Sequence, residues 1–191
     1  MRPQSIFLKS IFITLAIMSG LLYTGCKSDQ VDPVSLKTYY WSLDEKIEVE
    51  IHPNVVSLRE TRALNQKEIA EILGIEEKMI VSITRVHPEL LRIHVNQDHL
   101  KFSEQTIPAL SLNGSAILMT GEITLMPEPN TDVNELVQKY NLTLLQQTNY
   151  GVYLFLSPNP SQTLSLANTI QEKENVKWAA PNIISNHVHF H

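Results

Sequence analysis

Cys26 is the one cysteine in 191 residues, and its setting gives it a chemistry. It follows Gly25 at the end of a mostly apolar run, Ile11 to Leu22, which itself follows the basic residues Arg2 and Lys9. A basic start, a short apolar stretch and a small residue before a cut make a secretory signal, and the stretch is shorter than a bilayer span needs. A thiol that becomes the first residue after the cut can carry acyl chains. The second group with chemical potential is at the other end. His187, His189 and His191 alternate, so in a strand their imidazoles share one face. Such a row can bind zinc or copper if a further ligand comes from elsewhere, and the sequence names none. It can also fill the subsites of a partner enzyme, or be a frayed end with no role.

Gly25-Cys26 sits where a bacterial lipobox has its lipidated residue, with Tyr23 where Leu is usual and Leu22 one position earlier. The alternative is an ordinary signal peptide with a coincidental cysteine. Two or more acyl chains hold a protein on a membrane durably, at about 0.8 kcal/mol per buried CH₂. Lys27-Ser28-Asp29-Gln30 resembles the charged surface-export signals of Bacteroidetes lipoproteins. The expected location is the bacterial cell envelope, at the outer membrane or cell surface.

Removing residues 1–25 from the 191 leaves 166 and takes away two positive charges, so the formal net charge moves from −5 to −7. An acidic chain lacks the basic footprint that nucleic acid requires. With no cysteine beyond Cys26, the domain has no internal disulfide and must rest on its core, which 166 residues can build.

Motifs for catalysis are missing. There is no Gly-x-Ser-x-Gly, P-loop, Gly-x-Gly-x-x-Gly or His-Glu-x-x-His, and no Ser/His/Asp set with meaningful spacing. No cofactor is expected, and the mature chain reads as a non-enzyme. Glu45, Glu48 and Glu50 read as the solvent side of a strand, and Glu68, Glu71, Glu76 and Glu77 as a solvated helix face.

The elements that would position these residues follow from periodicity. Residues 26–37 are the lipidated cysteine and a polar tether containing Pro33. Residues 38–120 form a mixed α/β block. Lys46 to Ile51 alternates as a strand, His52-Pro53-Asn54 reads as a turn, and Val55 to Leu58 as a second strand. Asn65 and Glu68 have capping-box spacing ahead of Ile69, Ile72 and Leu73, and Gly74 stops the helix. Met79 to Val86 and Leu90 to Val95 read as strands. Ile107 to Leu112 and Ser115 to Met119 flank Asn113-Gly114, a two-residue hairpin signal.

Residues 121–185 read as β-α-β-β-α-β, a ferredoxin-like unit with an antiparallel sheet and both helices on one face. Its strands are Gly121 to Met126, Leu142 to Gln147, Val152 to Leu156 and Val176 to Ile184. Its helices start at Asp132 and at Pro158 to Ser161. The class is therefore α+β, and the block before it is a smaller mixed α/β block, open to reading as a degenerate copy with one helix missing or as an unrelated block, since no sequence identity between the halves is visible. In Val152 to Leu156, alternation separates Val152, Leu154 and Leu156 from Tyr153 and Phe155. The two aromatics are expected on the helix-free face, covered by the first block or by a partner.

The strand Gly121-Glu122-Ile123-Thr124-Leu125-Met126, the helix Asp132-Val133-Asn134-Glu135-Leu136-Val137, the segment Tyr150-Gly151-Val152-Tyr153-Leu154-Phe155 and the ending Asn175-Val176-Lys177-Trp178-Ala179-Ala180-Pro181-Asn182-Ile183-Ile184 carry a resemblance. Over the 64 residues from Gly121 to Ile184 the chain resembles the propeptide domain of subtilisin-like serine proteases, with Ala180 where an acidic residue is common. The Tyr39-Tyr40-Trp41 and Lys46-Ile47 stretch resembles the opening of long Bacteroidetes-type subtilases. The resemblance implies a unit that docks a sheet face on a protease, lays its C-terminal tail in the active-site cleft, and acts as folding template and inhibitor. The protease itself is absent from the sequence. The residues implied in partner binding are Tyr153, Phe155, Trp178, Ile183 and Ile184, with His187, His189, Phe190 and His191 of the tail at 186–191. The expected partners are a subtilisin-like serine protease and, through Cys26, a membrane. Two alternatives stay open: the front of a truncated subtilase, and a surface structural or adhesion lipoprotein without a protease partner.

Overall fold

The alternation of Lys46 to Ile51 becomes the start of a long strand. In the computed structural model, which describes residues 37–96 and 102–184, β2 spans Glu45–Arg59 and pairs at its start with β1, Lys37–Ser42. His52-Pro53-Asn54, expected as a turn between two strands, lies within β2 instead. Proline has no N–H to give the ladder, so pairing is interrupted while the strand continues. The register against β5 shows this: Ile51 pairs with Leu110, and the next pair is Val56 with Pro108. The His52 imidazole satisfies the freed Asn54 N–H at 3.2 Å.

Helix α1, Gln66–Leu73, has the expected capping box. Asn65 accepts from Glu68 N, the Glu68 carboxylate accepts from Asn65 N, and Gly74 closes the helix in the left-handed region. Strands β3 (Ile80–His87), β4 (Leu90–Val95) and β5 (Thr106–Leu112) follow. Asn113 and Gly114, at φ 52° and 78°, make the tight turn into β6, Ser115–Pro127. Asp132 caps α2 (Val133–Tyr140) by accepting from Asn134 N and Glu135 N. Strands β7 (Thr143–Gln147) and β8 (Tyr153–Leu156), helix α3 (Thr163–Lys173) and β9 (Val176–Ile184) complete the described residues.

The result is a mixed α+β protein with an antiparallel sheet of nine strands among the described residues, in the order β3-β4-β2-β5-β6-β8-β7, with β1 on β2 and β9 on β6. All described residues belong to one compact unit, and β6 runs unbroken across position 121 from one block into the other. Three clusters form most of the core. Ile69, Ala70 and Leu73 of α1 pack on Val56, Leu58, Leu91 and Ile93. Leu136 of α2 and Ala167 and Ile170 of α3 pack on Ile123, Leu125, Phe155 and Ala179. The third cluster draws on both blocks, with Val49, Ile107 and Leu110 against Met119 and Leu164. No helix among the described residues is long and apolar enough to cross a membrane.

Candidate functional site

Strand β6 has two faces, and its neighbours decide which is which. Ile123 and Leu125 lie in the cluster with α2 and α3, so Glu122, Thr124 and Met126 point to the helix-free side. Cross-strand partners share a face. Thr124 pairs with Leu154 on one side and Ala180 on the other, Glu122 with Leu156, and Met126 with Trp178. The helix-free face therefore carries Met126, Leu154, Leu156 and Trp178, all half-buried.

This corrects the assignment of Tyr153 and Phe155. Phe155 is 0% exposed and sits among Ile123, Leu136 and Ile170 under the helices. Tyr153 stacks on it with ring centroids 5.9 Å apart, and its hydroxyl accepts from Gln147 Nε2 at 2.9 Å. The two aromatics are core, because the β8 register sets Phe155 opposite Ile123, which faces the helices. Trp178 lies half-buried on the helix-free face. Ile183 and Ile184 end β9 and pack against the third cluster, so their side chains are engaged within the protein. Cys26, His187, His189, Phe190 and His191 lie outside the described residues.

A polar cluster stands at the end of the helix-free face, where the two blocks meet. Gly121, at φ 80°, kinks β6, and the register against β9 jumps from Met119–Ile183 to Ile123–Pro181. The bulge brings Thr120 and Glu122 together on Asn182 of β9. Glu122 Oε2 accepts from Thr120 at 3.0 Å and from Asn182 Nδ2 at 2.7 Å, and Oε1 accepts from Arg59 at the end of β2. Arg59 also donates to Glu89, between β3 and β4, at 2.5 Å. Burial would raise the Glu122 pKa, yet Arg59, Asn182 and Thr120 outweigh it and hold the carboxyl below its usual range. Burial likewise opposes the Arg59 charge, and the two carboxylates outweigh that too.

A cavity of about 240 Å³ lies beside this cluster, with His87 and Ile184 in its wall. Its chemistry is limited. A general base needs a free lone pair and a pKa near the working pH. The Glu122 carboxyl accepts three hydrogen bonds and is held below its usual range, which suits a clasp between the blocks better than a general base. Sequence reasoning missed this clasp because Arg59 and Glu122 are 63 residues apart. The available signal was a single carboxylate in the otherwise uncharged run from Asn113 to Pro127.

Among the described residues, no three His, Cys, Asp or Glu side chains gather as metal ligands. Comparison with known proteins finds no matching protein-family model, no similar curated protein and no similar solved structure.

Proposed function

We propose that this chain is a lipid-anchored binding protein of the bacterial cell envelope, built like a subtilase propeptide, that occupies a subtilisin-like serine protease and inhibits or chaperones it. The second block is read as a ferredoxin-like unit. Its support is the strand order β9-β6-β8-β7, all antiparallel, with a helix in each crossover. The observation that carries the reading is the helix-free face, where Met126, Leu154, Leu156 and Trp178 form a half-buried apolar surface. Its strand β9 leads straight into the C-terminal segment. The mechanism is occupancy: the sheet face docks, and the segment after β9 adds to the protease's substrate-binding edge by backbone pairing. Anchoring at Cys26 keeps the complex at the membrane.

A second reading is favoured by the burial of Phe155, which removes an expected aromatic from the docking surface. In it the chain is a structural or adhesion lipoprotein with no protease partner.

Inhibition of a bacterial subtilisin separates the two. Residues 27–191 are expected to inhibit, and a version ending at Asn186 to inhibit less. Trp178→Ala should weaken inhibition about tenfold or more, as truncation of a central aromatic anchor does. Rapid digestion of all three without inhibition would sink the protease reading.

A further inference from the structure

We propose that the cleft between β1 and α3 binds a primary ammonium group carried on an apolar stem. The cleft has a volume of about 380 Å³. Its apolar lining comes from Ile51, Pro108, Met119 and Leu164. Its polar lining is one-sided. Four of its five hydroxyl groups give their protons away within the protein: Ser165 to Gln162 O at 2.9 Å, Thr169 to Ser165 O at 2.8 Å, Ser161 to Asn159 Oδ1 at 2.7 Å and Tyr39 to Glu172 Oε1 at 2.8 Å. What these hydroxyls keep are lone pairs.

Asn168 adds an acceptor of a different kind. The residue is 7% exposed, and its Nδ2 donates to Tyr39 O at 2.9 Å, which fixes the orientation of the amide. Its Oδ1 has no hydrogen-bond partner among the described residues. A buried acceptor without a donor is unfavourable, so a donor that reaches it is favoured. Glu172 completes the set. Both of its bonds, from Tyr39 and from Trp41 Nε1, fall on Oε1. None of the lining residues is basic. Lys46 lies over the Tyr39 ring, 3.5 Å from its centroid, and lines the neighbouring groove. An apolar lining, a wall made mostly of acceptors and a carboxylate select a ligand with several N–H donors, a positive charge and an aliphatic body. A free alkylamine and a lysine side chain share that chemistry.

Trp41, bonded to Glu172, reports on the site once Trp178→Phe leaves it the only tryptophan. The full-length chain in a non-ionic detergent is titrated with n-pentylammonium, n-pentanol, pentanoate and Nα-acetyl-lysine amide. Saturable change in Trp41 emission with pentylammonium, and none with pentanoate or pentanol, is the expected result. Tighter binding of acetyl-lysine amide than of pentylammonium identifies a peptide side chain as the ligand, and the reverse identifies a small amine. Glu172→Gln should weaken pentylammonium about two- to fivefold, as loss of an exposed charge does. Ser165→Leu, at an exposed position, should fill the cleft and abolish the response. Equal responses to all probes, no response to either amine, or full binding by Ser165→Leu would overturn the proposal.

Discussion

The two blocks share one strand order and differ in the helices found among their described residues. In the first, β2 is flanked by β5 and β4, with β3 outside β4; in the second, β6 is flanked by β9 and β8, with β7 outside β8. Each has a helix after its first strand. Among the described residues, a long helix before the last strand stands only in the second block, as α3. A sheet face without its helix must be covered by something else. Leu164 of α3 packs with Ile107 and Leu110 of β5, and Tyr40 of β1 joins the same cluster. One helix thus serves both blocks. The lesson is that the first block's core is completed by the second, so neither should be stable alone.

The largest effect should come from breaking the second block's core. Phe155→Ala should cost about 3–5 kcal/mol, the usual range for a buried aromatic. Each block holds one tryptophan, Trp41 in β1 and Trp178 in β9, so single-tryptophan variants report on each separately. In urea both transitions should move together by the same amount. If Trp178 unfolds early while Trp41 keeps its midpoint, the blocks are independent and the shared-helix account fails.

A smaller effect tests the junction against the tip of the β5–β6 hairpin. Gly121 and Gly114 both have positive φ, 80° and 78°. A Cβ at Gly121 would meet Ile107 Cδ1 at 3.2 Å, whereas one at Gly114 meets nothing within 4 Å. Gly121→Ala should cost about 2–3 kcal/mol, combining left-handed strain with displacement of Ile107, and Gly114→Ala about 1 kcal/mol from strain alone. Equal losses in urea melts would mean that packing at the junction contributes nothing.

Local signals were legible where one short segment carries the whole cause. Asn65 with Glu68, Asp132 with Glu135, and Asn113-Gly114 satisfy or turn their own backbone, so their residue types suffice to place them. The signal failed where the cause lies in another strand. Alternation in Val152 to Leu156 separates two faces but does not say which faces the helices; the pairing of Phe155 with Ile123 decides that. Pro53 reads as a break, yet β5 pairs with Ile51 before it and Val56 after it and so holds the strand through it. The Arg59–Glu122 clasp is a product of the tertiary fold: the lone carboxylate in the run from Asn113 to Pro127 marks Glu122, but nothing local names Arg59 as its partner.

That clasp gives the smallest effect and the one with a pH signature. Glu122 has its carboxyl held below the ordinary range in the fold, against burial, by Arg59, Asn182 and Thr120. A depressed carboxylate contributes stability that is complete above the unfolded value of about 4.3. That stability is lost as the pH falls through the lower folded value, because the unfolded chain then takes up the proton first. Glu122→Gln removes the charge and keeps the shape, and Arg59 retains Glu89. The variant should lose about 1 kcal/mol at pH 7 in urea denaturation. The loss should shrink below about pH 4, where the native carboxylate is itself being protonated. Arg59→Leu should behave differently, with Glu122 left buried at 8% exposure and without its cation. Its loss at pH 7 should exceed that of Glu122→Gln, because an uncompensated buried charge is worse than a missing pair. If both variants lose the same amount at every pH, the clasp contributes packing alone, and the joining of the blocks rests on Leu164 and the continuous β6.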